Sequence, residues 1–94
     1  MEWVANATKI SGRPSVASLG LYSDYVPAAN EAAANLVAAG VTTVVASGDS
    51  VQDVKYLSPA SEPTVITVAA SNITDCREMF SNKGAGVDIH APGM

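Results

Sequence analysis

The sequence predicts an α/β layer structure built on a mainly parallel sheet, and an incomplete one. Its elements run helix, strand, helix, strand, strand, the order that right-handed crossovers lay down as parallel strands with helices against them. Within that order, Val41 to Ala46 is almost continuously apolar or β-branched, the pattern of a strand covered on both faces and not of a half-exposed one. Composition agrees: 48% of the 94 residues are apolar and 15% are charged, against about 25% charged in average globular proteins. So few charges suit the inside of something larger, and 94 residues make one small domain or part of one.

Each element has a local reason. Trp3, Val4, Ala7 and Ile10 recur at helical spacing, Gly12 stands as a C-terminal cap and Pro14 forbids continuation, so Met1 to Ser11 is a helix. No N-cap residue precedes it, and its beginning is expected to lie outside the sequence. Ser15 to Leu21 is a short strand of small and apolar residues, and Tyr22 to Tyr25 a polar loop. Pro27 opens the next helix, where a missing N–H is harmless, and the alanine-rich run to Ala39 ends on a cap at Gly40. Its Ala and Leu face is expected on the sheet. Gly48 stops the strand Val41 to Ala46. Asp49 to Glu62 has no period and reads as a long surface loop, a length that is uncommon and often functional. Thr64 to Ala70 is a second apolar strand, Ser71 to Gly86 is loop-like, and Val87 to Ile89 is a last short strand. Two helices on three or four short strands leave an apolar edge and part of a face unpaired, so self-association through exposed sheet edges is expected.

Composition excludes several functions. A net charge of −4 and a pI of about 4.6, with five scattered basic residues, provide no footprint for nucleic acid or anionic lipid, and neither is expected as a partner. No run approaches the about 18 apolar residues of a membrane span, and no basic, apolar, small-residue leader opens at Met1. The single cysteine, Cys76, excludes an internal disulfide and has no second cysteine at metal-ligand spacing; it reads as a small loop residue.

In open parallel sheets ligands bind beyond the carboxyl ends of the strands. Ser47, Gly48, Asp49 and Ser50, at the turn after Val41 to Ala46, therefore occupy the expected place of a site.

Several segments fall in a recognisable order: EWV in the first helix, GRPSVASL, the alanine-rich helix ending AAGV, then VVASGD, YLSPASEP, ITVAAS, FSNKG and VDIHAPG. Together they resemble the middle of a subtilisin-like serine protease, a subtilase, and most of all the proteinase K branch. The likeness covers the whole chain. It implies the doubly wound subtilase fold, with 1–94 as the middle segment of a peptidase domain. It also implies an extracellular parent that hydrolyses peptide or protein substrates. The family's Asp-Thr-Gly and His-Gly-Thr motifs would precede Met1, and its Gly-Thr-Ser-Met-Ala nucleophile motif would follow Met94. No catalytic triad residue is thus expected in this chain, which should be inactive alone. His90 stands where the family usually has an aromatic residue, in Asp-Ile-Phe-Ala-Pro-Gly, and reads as a packing residue.

By the same resemblance the chain carries the substrate cleft and the oxyanion position, both altered. The family's Ala-Ala-Gly-Asn, whose Asn donates to the tetrahedral oxyanion, matches Ala46, Ser47, Gly48 and Asp49. An ionised carboxylate only accepts hydrogen bonds and sets a negative charge against the one that develops. In subtilisin itself, losing one such donor costs about 10²- to 10³-fold in rate. The family's Ser-Leu-Gly-Gly-Gly, whose backbone pairs with substrate, matches Gly20, Leu21, Tyr22, Ser23 and Asp24. Its glycines are gone, and Tyr22 brings a bulky ring where a peptide backbone must approach closely. The proteinase K branch further implies a weak calcium site at the carbonyls of Pro63 and Val65 and the carboxylate of Asp88, unless Asp88 simply caps a turn.

Two other functions compete. Gly48, Asp49 and Ser50 after a buried strand resemble the nucleophile block of the Gly-Asp-Ser esterases, with Ser50 as nucleophile and His90 as base, although that family's late Asp-x-x-His is missing. The other is a non-catalytic remnant whose exposed edge accepts a strand from a partner.

Overall fold

The computed structural model describes residues 2–74, 76–77 and 79–93. Four parallel strands make its sheet: β1 (Ser15–Leu19), then, after a short β2 (Ser23–Asp24), β3 (Val41–Ala46), and, after a short β4 (Leu57–Ser58), β5 (Ile66–Ser71) and β6 (Ile89–Pro92). Their order across the sheet is β1-β3-β5-β6, with Ser15 opposite Val41, Val44 opposite Ile66 and Val68 opposite Ile89. Helix α1 (Glu2–Ser11) precedes β1, and α2 (Pro27–Ala38) makes the crossover from β2 to β3. This is the predicted α/β architecture, with β1 and β6 as open edges.

Helix α2 starts without a side-chain cap, because Val26 has none to give and Pro27 removes one donor that would need it. The backbone of Val26 is held instead by Ser58, whose hydroxyl accepts from its N–H at 2.9 Å and donates to its carbonyl at 3.2 Å. Gly40, at φ +92°, turns the chain from α2 into β3.

Both helices pack on one face of the sheet. Leu36 of α2 meets Ala17 and Val41, with Val4 and Ala5 of α1 behind them. Farther along, Ala33 joins Val45, Val54, Leu57, Ala60 and Val65. The opposite face corrects the expectation that Val41 to Ala46 is covered on both sides: burial alternates along β3, with Val41, Thr43 and Val45 buried and Thr42 exposed. On that second face Val16 is 71%, Ile89 56% and Ile66 41% exposed, and no element among the described residues covers it. The apolar run records a demand for cover that these residues do not meet.

Asp49 to Glu62 is not the surface loop that its lack of period predicts. Val54 to Tyr56 form a 3₁₀ turn, whose first N–H groups Asp53 caps by accepting from Lys55 N at 3.0 Å. Strand β4 then pairs antiparallel with β2, in what was read as the loop Tyr22 to Tyr25. Leu57, Ser58, Pro59 and Ala60 are all buried. Elements of two and three residues are too short to show a period, so the segment is core without a sequence pattern. At the strand ends, β1 stops at Leu19 rather than Leu21, and β6 begins at Ile89 rather than Val87.

Candidate substrate cleft

Strands β1 and β3 end side by side, and the two segments that leave them face each other. Pairing continues one residue past β3, where Ser47 N donates to Val68 O at 2.9 Å, and Ser47 is buried. Gly48 follows at φ +92°, a conformation that a side chain would strain. Space forbids one as well: a Cβ there would lie 2.5 Å from Asn82 Nδ2 and 3.1 Å from Cγ of Tyr22. Gly48 is thus clasped between the carboxamide of Asn82 and the ring of Tyr22. Asp49, next along, is exposed and accepts a hydrogen bond from the Tyr22 hydroxyl. That bond holds the phenolic proton and raises the Tyr22 pKa above 10.0, with desolvation and the carboxylate's charge adding to it.

Beyond these strand ends lies a cavity of about 430 Å³. Gly20, Tyr22, Ala46, Ser47, Gly48 and Asp49 all line it, so the structure brings together six of the nine residues that resemblance matches to the cleft and the oxyanion position; Ser23 and Asp24 are exposed and do not line it. Leu21 is exposed and does not line it. The cavity opens at the carboxyl ends of the parallel strands, where such sheets place ligands. Asp49 is its one carboxylate among the described residues.

The other candidates lie elsewhere. Ser50 donates its hydroxyl to Asn82 Oδ1 at 3.2 Å, an acceptor with no basic role, while His90 stands exposed on β6 opposite Ala69. Among the described residues Ser50 therefore has no base beside it, and His90 is exposed rather than packed as expected, because β6 is an edge strand over which no described element is laid. Asp88 is exposed and accepts from Thr67 N at 2.8 Å through Oδ2, the turn-capping contact, while Oδ1 has no donor among the described residues. Pro63 is exposed and Val65 buried. The donor set of two carbonyls and one carboxylate oxygen is all hard oxygen, which suits calcium. Among the described residues no group of three or more His, Cys, Asp or Glu forms a metal cluster. No helix among them is long and apolar enough to cross a membrane.

Asn82 went unassigned in the sequence, where it appears only within FSNKG. It is fully buried and ties down the whole turn from Ser47 to Gln52. The available signal was a Ser-Asn pair, Ser81 and Asn82, following an aromatic residue: buried polar groups must find partners, and two together imply a network.

Residues 8–94 match the sequence profile of the subtilase family. Among curated proteins, the chain is 45% identical over 95 residues to a subtilisin-like protease of Coccidioides posadasii, covering 100% of this chain and 24% of that protein. It is 46% identical to an alkaline serine protease of Corniculantispora psalliotae, over 99% of this chain and 25% of the relative. It is 45% identical to a cuticle-degrading protease of Metarhizium anisopliae, over 99% and 24%. The chain thus spans about a quarter of the length of these relatives. A cold-adapted subtilisin-like serine proteinase of known structure superposes with a TM-score of 0.92 at 36% identity, over 98% of this chain and 33% of that one.

Proposed function

This chain belongs to the subtilase family, and we propose that its 94 residues supply the substrate cleft and oxyanion segment of a serine endopeptidase domain. Peptide and protein substrates are then those of the whole domain. One observation carries the reading: the segments matching the family's substrate loop and oxyanion turn meet at the strand ends, joined by the hydrogen bond from Tyr22 to Asp49. In the family pattern the first holds the substrate backbone and the second polarises the scissile carbonyl. Here the Tyr22 ring fills the approach to Gly48, and its hydroxyl occupies the residue at the oxyanion position. A substrate strand has to displace Tyr22 before it can dock. Once displaced, Asp49 gives the developing oxyanion a carboxylate instead of a donor.

By themselves these residues hold no nucleophile, base or orienting acid of the triad, and they do not hydrolyse peptides. Purified protein should release no anilide from a peptide anilide and leave casein intact, and Asp49→Asn should not change that, because residual catalysis from an oxyanion site needs a bound substrate. Turnover abolished by Ser50→Ala would contradict this and favour the esterase reading. Pro63, Val65 and Asp88 are proposed to hold calcium through two carbonyls and one carboxylate, where the ion would brace the start of β5. A single carboxylate implies weak binding, of order 10⁻⁴ to 10⁻³ M.

A further inference from the structure

We infer that Asn82 is the positioning residue of the oxyanion turn, the group that fixes where Asp49 lies relative to Tyr22. The inference rests on the reading of Ser47 to Asp49 as that turn. Asn82 is 0% exposed, and its carboxamide is spent entirely on one segment. Oδ1 accepts from Ser50 N at 3.1 Å, from Ser50 Oγ at 3.2 Å and from Gln52 N at 2.7 Å, while Nδ2 donates to Ser47 O at 2.7 Å. Its backbone N–H adds a bond to Gly48 O at 3.1 Å. Residues on both sides of Asp49 are therefore held by a single residue reaching from the loop between β5 and β6.

The turn shows the tension of being held. Val51, between the two N–H groups that Asn82 gathers, sits at φ +55°, which a β-branched residue adopts only when its surroundings over-determine it. Asn82 is in turn anchored to the sheet. The hydroxyl of its neighbour Ser81 accepts from Ala70 N on β5 at 3.0 Å and donates to Asn82 O at 3.2 Å. A buried carboxamide with both polar atoms bonded is costly to remove, because truncation leaves Ser47 O and the amides of Ser50 and Gln52 without this partner.

Amide exchange and the Tyr22 ring resonance, both followed by NMR on the whole chain, test this. Asn82→Ala should speed exchange at Ser50 and Gln52 by about tenfold or more, the factor that about 1.4 kcal/mol of lost bonding gives, and leave Val45 unchanged. The Tyr22 titration should fall back towards that of a free phenol, as Asp49 is no longer held at the hydroxyl. Asn82→Asp keeps the acceptor for both amides but sets an oxygen against Ser47 O. It should retain more protection at Ser50 and Gln52 than Asn82→Ala only at a pH low enough to protonate it and restore the donor. Asn30→Ala removes another partly buried carboxamide, bonded to Ser61, and should lower the melting temperature without moving Tyr22. A Tyr22 titration unchanged in folded Asn82→Ala, or unchanged exchange at Ser50 and Gln52 in that variant, would overturn the inference. Should Asn82→Ala fail to fold, the wild type decides: slow exchange at Ser50 and Gln52 supports it, and open-loop rates contradict it. None of these readouts depends on hydrolysis, so failure here leaves the endopeptidase reading intact, and the converse.

Discussion

Tyr22 donates its hydroxyl proton to the carboxylate of Asp49, so two residues that differ from the family's motifs in the proposed cleft are bonded to each other. The sequence places them 27 positions apart in separate motifs. A glycine at the first and an asparagine at the second would share no such bond. The pair closes the approach to Gly48 and, in the proposed reading, takes up the carboxylate at the oxyanion position.

A titration follows. The Tyr22 pKa is raised first by the hydrogen bond to Asp49 and then by desolvation and charge. The protonated phenol is favoured in the folded state, so whatever the pair contributes is complete below the ordinary tyrosine pKa of about 10. It is lost as pH rises through the higher folded value. By NMR, Asp49→Asn should bring the Tyr22 titration down towards the ordinary value of a free phenol. Any stability difference between wild type and Tyr22→Phe should vanish above the Tyr22 pKa. Identical Tyr22 titrations in wild type and Asp49→Asn would mean that the bond does not form.

Gly48→Ala should be among the most damaging small changes in the chain. The new methyl would meet Asn82 Nδ2 at 2.5 Å at a φ of +92°, so strain and a broken network combine. A loss of about 1–3 kcal/mol is expected in denaturant melts. Gly20→Ala, where a Cβ has open space, should cost far less.

Much of this was legible in the sequence, for physical reasons that also mark where legibility stops. α1, α2, β3 and β5 announce themselves because each is long enough for a period or an apolar run, and Gly12, Gly40 and Pro27 mark ends through backbone chemistry alone. β2 and β4 do not, since two residues carry no period and their pairing is set by distant partners. The proposed cleft residues were named through motifs, but nothing in a motif says that Tyr22 turns its hydroxyl to Asp49. Asn82 was invisible for the same reason: its role is made of contacts to Ser47, Ser50 and Gln52, which lie 30 or more positions away.

Calcium should stabilise the fold weakly. At about 100 times its dissociation constant an ion adds about 2.7 kcal/mol, visible as a rise in melting temperature. Asp88→Asn should abolish most of that rise, whatever it does to the baseline through Thr67. Asp53→Asn, which removes a charge but keeps an acceptor for Lys55 N, should keep it. Equal responses from wild type and Asp88→Asn would sink the assignment.

The bare sheet face should drive association. Val16, Ile66 and Ile89 lie exposed beside the open edges of β1 and β6, the combination that invites edge pairing and apolar contact. Sedimentation velocity should show oligomers at micromolar concentration, reduced by Val16→Lys with Ile66→Lys. A compact monomer with one cooperative melt would show that the exposed face is tolerated.

The sharpest measurement puts these 94 residues in place of the matching segment of a proteinase K-like relative that carries its own triad, and compares kcat with Asp49 and with Asp49→Asn in a Tyr22→Gly background. If Asp49 occupies the oxyanion position, Asn should be faster by about 10²- to 10³-fold or more, since it restores a donor and removes a repulsive charge. Equal kcat for the Asp and Asn forms, both well above background, would contradict that position for Asp49.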